Sequence, residues 1–280
     1  MVETPSGKQA GDENFPVGSW LLPAHLRPHV ATYYAYARAI DDIADNPDLA
    51  PDDKIARLDQ FEKILRGEDA ADEGLDKARA VHASMVAMGV DLQHGIDLVT
   101  AFKQDAVKLR YETWDELIHY CLHSAAPVGR FLIDLHGESK ETYPASDALC
   151  NALQVLNHLQ DCQDDFHALD RVYLPLNWMR EAGVTVDALD NLAANTALRQ
   201  VIDRCLDATE ALLDTARALP PGIRNTRFAM EAATILCIAE RLVIELRQRD
   251  PLAERVVLSK PRYLLCGVSG IWAALRRKPA

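Results

Sequence analysis

Most of the chain repeats apolar residues at intervals of three and four positions, with polar residues between them. This spacing is typical of an amphipathic α-helix, and no stretch shows the two-residue alternation that indicates a half-buried strand. We therefore predict an all-α fold, with residues 1–12 as a flexible tail and residues 13–280 as a single helical domain. The pattern predicts the main helices at residues 27–45, 53–65, 75–88, 91–109, 114–136, 154–175, 195–219 and 223–248.

The segment at residues 154–175, QVLNHLQDCQDDFHALDRVYLP, is the element around which we expect the chain to be organised. On a helix, one face of this segment would carry two amides and two carboxylates, from Gln154, Asn157, Asp161 and Asp165. Apolar residues on both sides of that face indicate buried flanks. Carboxylates four residues apart repel each other by roughly 0.2–0.5 kcal/mol when exposed, and by more when desolvated, unless a cation neutralises them.

A second helix repeats this arrangement with different residues. Asp41 and Asp45 lie four positions apart, and Tyr34 and Arg38 continue the same face towards the N-terminus. The Asn46-Pro47 pair predicts that the helix stops directly after them, because a residue before proline disfavours helical backbone angles. The aspartates would then lie at a helix C-terminus, where the macrodipole already presents negative charge, and such a local conflict often marks a functional site.

Either pair alone fits a solvated acidic face, but two equally spaced pairs in apolar helices favour metal binding. Ligation by oxygen atoms alone favours Mg²⁺, which usually shares its coordination shell with water and substrate phosphates. A diphosphate substrate follows from this interpretation. Arg38 and Arg171 are candidate partners for it, because a guanidinium binds phosphate oxygens bidentately. The alternative for each arginine is an ion pair with a nearby aspartate of its own helix.

The Glu116-x-x-His119 motif raises a di-iron carboxylate bundle as an alternative. That site requires a second Glu-x-x-His, and no other histidine has a glutamate three residues before it. The glycines form neither a dinucleotide-binding fingerprint nor a P-loop. Magnesium with a diphosphate is therefore the favoured interpretation.

The formal net charge of −12 argues against nucleic acid as a partner, because phosphate backbones require a basic surface. The six cysteines form no C-x-x-C pair, and we see neither a signal peptide nor a long apolar run, so we expect a cytoplasmic protein with reduced thiols. Residues 261–280 could lie on the inner face of an anionic membrane, because they join an apolar face to basic residues. That face is Leu264, Leu265, Val268, Ile271, Trp272 and Leu275, and the basic residues are Arg276, Arg277 and Lys278.

Three blocks of residues together resemble the squalene/phytoene synthase family. They are LP-x-x-x-R followed by Tyr34, Arg38, Asp41 and Asp45; RYETWDELIHYCLHSAAPVG at residues 110–129; and Gln154, Asn157, Asp161 and Asp165 with the trailing RVYLP. The resemblance covers most of the chain and implies an isoprenoid synthase helical bundle with a central cavity. It implies that Mg²⁺ is held by Asp41, Asp45, Asn157, Asp161 and Asp165. It also implies contacts to the diphosphate and the reacting cation from Tyr34, Arg38, Tyr120, Gln154, Arg171 and Tyr173.

Several positions depart from the usual pattern of that family. The stretch ENFPV replaces a common S-[KR]-S-F, and in this it resembles the hydroxysqualene-forming branch found in bacterial hopanoid pathways. Gln160 stands where an arginine is common, and no tyrosine occurs near Leu242 and Val243. The usual Y-V-A-G-x-V-G is altered at His123, Ser124 and Pro127. Fewer diphosphate-binding groups fit one allylic diphosphate better than two.

That branch implies the conversion of presqualene diphosphate and water to hydroxysqualene and diphosphate. Mg²⁺ would help to withdraw the diphosphate, the carbocation would rearrange in an apolar pocket, and water would capture it, with no redox cofactor. Tyr34 and Tyr120 could stabilise the cation or orient the water, since aromatic faces attract cations by roughly 0.5–2 kcal/mol.

Two alternatives stay open. A squalene or phytoene synthase would condense two prenyl diphosphates head to head, and a squalene synthase would also use NADPH. A non-catalytic helical partner of such an enzyme is the other alternative, and the presence of both aspartate pairs argues against it.

Overall fold

The computed structural model of the chain describes Val2, residues 21–68 and residues 74–276. Helices joined by loops make up this part of the chain and no strand occurs in it, which confirms the all-α prediction. Of the predicted tail, the structure describes only Val2, whose carbonyl oxygen accepts a hydrogen bond from Arg57 Nη1 at 3.2 Å. The boundary at residue 12 and the ENFPV stretch lie outside the described residues.

The helices of the described residues vary in length from a single turn to six turns. In chain order they are α1 (Arg27–Ala44), α2 (Pro51–Leu65), α3 (Asp76–Met88), α4 (Gln93–Asp105), α5 (Trp114–Ser124), α6 (Ala126–Leu135), α7 (Tyr143–Gln160), α8 (Cys162–Leu169), α9 (Leu176–Glu181), α10 (Thr196–Ala216), α11 (Leu219–Gly222), α12 (Thr226–Gln248) and α13 (Lys260–Arg276). Short 3₁₀ turns add Lys140–Thr142 and Val186–Asp190.

These helices group into two compact units, defined by which residues contact one another. The first unit runs up to Lys108 and includes Pro127–Lys140, so it holds α1 to α4 and nearly all of α6. The second unit comprises Leu109–Ala126 and the chain from Glu141 onward, with the remaining helices. In the second unit α7 packs against α5, α10 and α12, and α12 packs against α13.

The predicted helix at 114–136 is wrong in one respect, because the structure divides it at Ala125 into α5 and α6. Pro127 explains the division: it has no backbone N–H to donate into the preceding turn, and its ring would clash with a carbonyl of that turn in a continuous helix. A side-chain cap begins α5, since Thr113 Oγ1 accepts a hydrogen bond from Glu116 N at 3.2 Å. The carboxylate of Glu116 accepts a hydrogen bond from the backbone N–H of Glu112.

The C-terminal helix α13 is amphipathic. Its small residues Cys266, Gly270 and Ala274 are buried where it packs on α12. Its exposed large apolar residues are Leu264, Leu265, Val268, Trp272 and Leu275. Arg276 is described, whereas Arg277 and Lys278 lie outside the described residues. Within the described part of the chain, no helix is both long enough and apolar enough to cross a bilayer.

Helices α12 and α13 approach each other closely at Gly270. A Cβ atom there would lie 2.5 Å from the backbone nitrogen of Thr234, whereas a Cβ atom at Gly267 would meet nothing within 4 Å. We expect Gly270→Ala to force the helices apart and to cost about 1–3 kcal/mol by overpacking. The matched Gly267→Ala change should instead stabilise α13 by up to about 1 kcal/mol, because alanine favours helix. Amide hydrogen exchange across α13 measures both effects, and equal exchange in the two variants would contradict this packing.

Candidate active site

Two buried tyrosines fix the orientation of α1 in the first unit. Tyr33 donates its hydroxyl to the His94 carbonyl at 3.1 Å, and Tyr36 donates to the Gly95 carbonyl at 2.9 Å. These bonds hold one face of α1 against the start of α4. An adjacent, half-buried face carries the predicted site residues Tyr34, Arg38, Asp41 and Asp45.

Arg38 binds two carboxylates near the C-terminal end of α1. Its Nη1 lies 2.8 Å from Asp41 Oδ2, and its Nη2 lies 3.0 Å from Oδ1 of the buried Asp42. The last turn contains no basic residue, so Arg38 offsets both carboxylates and the partial negative charge of the helix end. These ion pairs are the predicted alternative to a contact between Arg38 and phosphate. The phosphate contact stays a prediction. Asp45 follows as the C-cap, with its N–H bonded to the Asp41 carbonyl at 2.9 Å.

In the second unit, the predicted helix at 154–175 is wrong in its bounds and in its continuity: helical structure runs from Tyr143 to Leu169 and is interrupted at Asp161. Helix α7 ends at Gln160, and Asp161 has φ −107° and ψ 13° before α8 begins. The hydrogen bonds of the helix nevertheless continue through the break, because Asp161 N–H binds the Asn157 carbonyl at 2.9 Å and Asp165 N–H binds the Asp161 carbonyl at 2.8 Å. The break ends one helix at the aspartate while keeping Asp165 one turn further on. The side chain of Asp161 is 33% exposed and lies 3.8 Å from Arg255 Nη2.

Aromatic rings gather beside the polar face of α7, and we call this group the aromatic cluster: Tyr111, Tyr120, His158 and Tyr173. The rings of His158 and Tyr173 stack at 3.5 Å between centroids with 12° between their planes. Tyr120 lies 6.2 Å from His158 and 6.0 Å from Tyr173, and Tyr111 lies 5.4 Å from Tyr120. The nitrogen Nε2 of Gln154 is 3.3 Å from Nε2 of His158. The structure therefore brings the predicted residues Tyr120, Gln154 and Tyr173 together around a histidine that the sequence analysis did not select.

The His158 ring is neutral. Burial, and secondarily the positive charge of the buried Arg171, lower the pKa of His158 to about 3. An uncharged imidazole can present its ring face to a cation without repelling it, as the neighbouring tyrosines can. His158 and Tyr111 were missed because their role depends on contacts with residues distant in sequence, for which helical spacing gives no signal.

The donor chemistry at each aspartate pair fits Mg²⁺. Both pairs offer carboxylate oxygens that are only half-buried, and the second adds the half-buried amide of Asn157. Mg²⁺ takes one or two protein carboxylates and completes its shell with water and phosphate oxygens, so two carboxylates per unit suffice. Among the described residues, no group of three or more His, Cys, Asp or Glu side chains forms a site that would hold a metal by itself. In the Glu116-x-x-His119 motif, the glutamate bonds to a backbone N–H and the histidine ring contacts His123 at 4.9 Å.

In the second unit, residues at two of the positions that depart from the family pattern take part in the packing of the protein. Gln160 is buried, and its amide donates a hydrogen bond to the Val256 carbonyl. Leu242 and Val243 are buried apolar residues of α12. Neither position presents a charged or hydroxyl group to a diphosphate.

Three buried oxygen atoms of the second unit have no hydrogen-bond partner among the described residues. They are Ser124 Oγ on α5, Asn151 Oδ1 on α7 and Glu231 Oε2 on α12. The helices that carry them all pack at α7. Buried polar atoms are rarely left unpaired, so each of these requires an explanation.

Comparison with known proteins places these residues in context. The family model for squalene/phytoene synthases matches residues 8–262. A hydroxysqualene synthase of Sinorhizobium fredii is 42% identical over 262 residues, covering 93% of this chain and 88% of the relative. A hydroxysqualene synthase of Rhodopseudomonas palustris is 41% identical over 278 residues, covering 99% of this chain and 94% of the relative. A solved structure described as the squalene synthase HpnC of Alicyclobacillus acidocaldarius is 31% identical, with a TM-score of 0.72 and coverage of 83% of this chain and 87% of that one.

The buried carboxyl of Glu231 should make the stability of the protein depend on pH. Burial raises the pKa of its carboxyl from 4.5 to about 7. The folded protein therefore keeps a proton that the unfolded chain loses above pH 4.5, so this stabilisation is complete below pH 4.5 and is lost as the pH rises through 7. The loss amounts to about 3 kcal/mol.

We expect Glu231→Gln to stabilise the protein more at pH 8 than at pH 5, because glutamine never has to release a proton. Thermal unfolding at the two pH values measures the difference. Glu240→Gln, on the same helix but half-exposed and paired with Arg217 at 2.9 Å, controls for the loss of a carboxylate. An advantage of Glu231→Gln that did not change with pH would contradict the raised pKa.

Proposed function

The chain belongs to the squalene/phytoene synthase family, as its motifs predicted, and from this premise we propose that it converts presqualene diphosphate and water to hydroxysqualene and diphosphate. The observation that carries the proposal is its identity of 41–42% with two hydroxysqualene synthases over 93% or more of its length. The buried, uncharged environments of Gln160 and Val243 support it, because they suit one diphosphate better than two.

We propose Mg²⁺ as the cofactor, held in the first unit by Asp41 and Asp45 and in the second by Asn157, Asp161 and Asp165. When bound, Mg²⁺ supplies positive charge to the oxygens of the departing diphosphate. Arg38 can exchange its carboxylate partners for phosphate oxygens, since the same bidentate geometry serves both. Arg171 adds a buried positive charge beside the aromatic cluster.

Aromatic residues of the chain would then stabilise the carbocation that forms when the diphosphate leaves. Tyr120, Tyr173 and neutral His158 offer ring faces, each worth roughly 0.5–2 kcal/mol to a nearby cation. Tyr34 of α1 keeps its predicted role in stabilising the cation or orienting the water. Because no hydride donor takes part, the reaction ends when water forms the new C–O bond.

A second candidate is a reductive squalene synthase. It is favoured by the solved structure from Alicyclobacillus acidocaldarius, which is described as a squalene synthase. Both activities begin with the same cation, and they differ only in whether water or a hydride from NADPH ends the reaction.

We also propose that α13 rests on an anionic membrane surface. Leu264 and Trp272 are 71% and 56% exposed on its outer face. Lys260 at one end and Arg276 at the other are exposed bases, in a protein whose net charge is otherwise strongly negative. An amphipathic helix of this kind binds lipid through its apolar face and anionic headgroups through its cations. The substrate is itself a lipid, so contact with a membrane would bring it near its source.

The activity test supplies the purified protein with presqualene diphosphate and Mg²⁺, with and without NADPH. We expect hydroxysqualene in equal amount under both conditions, and oxygen-18 in the product when the water is labelled. Removing Mg²⁺ with EDTA should abolish turnover, and adding it back should restore it. Mass spectrometry of the lipid product is the measurement.

The controls separate the alternatives. Squalene that appears only with NADPH would identify a reductive squalene synthase, and turnover only of simple prenyl diphosphates would identify a condensing enzyme. Asp161→Ala should reduce turnover at least a hundredfold, since it removes a carboxylate proposed to bind the metal. Unchanged turnover in that variant would exclude the proposed role of Asp161.

The membrane proposal is tested by co-sedimentation with lipid vesicles. We expect binding to vesicles that contain anionic lipid, and about tenfold weaker binding for Leu264→Ser or Trp272→Ser, because burying one large apolar side chain contributes about 1.5 kcal/mol or more. Leu192→Ser is the matched control, since Leu192 is 91% exposed but lies outside α13. Equal losses for Leu192→Ser and Leu264→Ser would contradict a specific role for α13.

A further inference from the structure

The proposed reaction requires one water molecule to be held beside a carbocation, in surroundings that must otherwise be apolar. A buried water is retained where two to four polar groups can bond to it. Buried polar atoms that lack a hydrogen-bond partner in the protein are therefore the candidate partners of this water. In the second unit, two such atoms lie on the helices that carry the aromatic cluster.

The first atom is Ser124 Oγ, at the end of α5. Ser124 follows Tyr120 by four residues, so the two lie on the same face of α5, about 6 Å apart along its axis. Its hydroxyl oxygen is buried and has no hydrogen-bond partner within the described residues. Ser124 is also one of the positions that depart from the family's Y-V-A-G-x-V-G pattern.

The second atom is Oδ1 of Asn151, a residue that is only 3% exposed. This oxygen likewise has no partner in the described part of the chain. Asn151 precedes His158 by seven residues, which places both on one face of α7, about 10 Å apart along its axis. Gln154 lies between them and contacts His158.

The contact between Tyr120 and His158 aligns these two faces, because α5 packs on α7. Tyr111, just before α5, stacks on Tyr173 at 5.6 Å, and Tyr173 stacks on His158 near the end of α7. The start of α5 therefore lies beside the end of α7, and the two helices run in opposite directions. Ser124 and Asn151 therefore lie in the same direction along the helix pair, as seen from the Tyr120–His158 contact. Counted along the helix axes from that contact, the levels of the two residues differ by about 4 Å. That difference in level is within the span of one water that makes two hydrogen bonds.

We infer that Ser124 and Asn151 together hold the water that captures the carbocation. This inference rests on the proposed function and identifies positioning residues for it. Ser124 can donate a hydrogen bond to the water or accept one from it, whereas Asn151 Oδ1 accepts a hydrogen bond from one O–H of the water, so an oxygen lone pair is left for the cation. The nearby aromatic cluster keeps the cation within reach of that lone pair.

The step balances without an oxidant or reductant. The water oxygen forms a bond to the cationic carbon, and one O–H bond of that water breaks. The proton passes to the departing diphosphate, which is the base that the reaction itself releases. The products are the alcohol and protonated diphosphate.

The test measures how products divide when presqualene diphosphate is supplied with Mg²⁺. Ser124→Ala and Asn151→Leu should each lower the ratio of hydroxysqualene to oxygen-free hydrocarbon products about tenfold, because a water that loses one hydrogen bond is held less well while the cation can still lose a proton. Ser124→Thr, which keeps the hydroxyl, should restore the ratio. A merely structural defect would lower the total product and leave the ratio unchanged.

Thr209→Val is the matched control. Thr209 is also a buried hydroxyl, but it donates to the Cys205 carbonyl at 2.7 Å and lies on α10. Its loss should leave the product ratio unaltered. A parent-like ratio in both Ser124→Ala and Asn151→Leu would overturn the inference while leaving the proposed function intact.

A second measurement does not depend on turnover. A high-resolution crystal structure should show an ordered water within hydrogen-bond distance of both Ser124 Oγ and Asn151 Oδ1. Protein groups bonded to these two oxygens, with no water shared between them, would overturn the inference. Failure of the wild-type protein to make hydroxysqualene would instead overturn the proposed function.

Discussion

Both aspartate pairs of this protein lie at helix termini: Asp41 and Asp45 at the end of α1, and Asp161 and Asp165 at the junction where α7 ends and α8 begins. A helix C-terminus carries partial negative charge, so the carboxylates at the end of α1 add to an existing field instead of opposing it. In the first unit Arg38 relieves this repulsion through ion pairs at 2.8 Å and 3.0 Å to two aspartates. In the second unit α7 stops at Asp161, and Arg255 lies 3.8 Å from that carboxylate. Both sites thus already attract positive charge, which is the property a metal-dependent diphosphate site requires.

The neighbourhood of the second pair is polar on one face and aromatic beside it. His158 could have brought a positive charge there, but burial and Arg171 keep its ring neutral. The stack of His158 on Tyr173 is therefore a pair of uncharged rings, and the face of an uncharged aromatic ring attracts cations. In the proposed reaction the two groups would have separate tasks: the carboxylates would hold the positive charge that accompanies the diphosphate, and the rings would stabilise charge that develops on carbon.

The sequence predicted the helical class, most helix boundaries and the residues of both aspartate pairs, because these depend on local spacing. The start of α1 at Arg27 and its end before Asn46-Pro47 follow from proline chemistry alone. The break at Asp161 was not predicted, since the apolar pattern continues across it and only the backbone angles reveal it. The aromatic cluster was only half predicted. Tyr111 contacts Tyr173 and His158 contacts Tyr120, so both belong to the cluster through residues on other segments. One-dimensional periodicity carries no information about such contacts.

The residues that depart from the family pattern become informative once their environments are known. The side-chain amide of Gln160 donates a hydrogen bond to the Val256 carbonyl, and Leu242 and Val243 are buried apolar residues. An arginine at position 160 would need a partner to offset the desolvation of its charge, and a second diphosphate would be such a partner. Ser124 differs from the family pattern in the opposite way, because it adds a polar atom. Its buried Oγ has no hydrogen-bond partner among the described residues. Loss of an arginine at Gln160 and of a tyrosine hydroxyl near Leu242 and Val243, and gain of a hydroxyl at Ser124, are the changes that the proposed function predicts for an enzyme that accepts one diphosphate and ends its reaction with water.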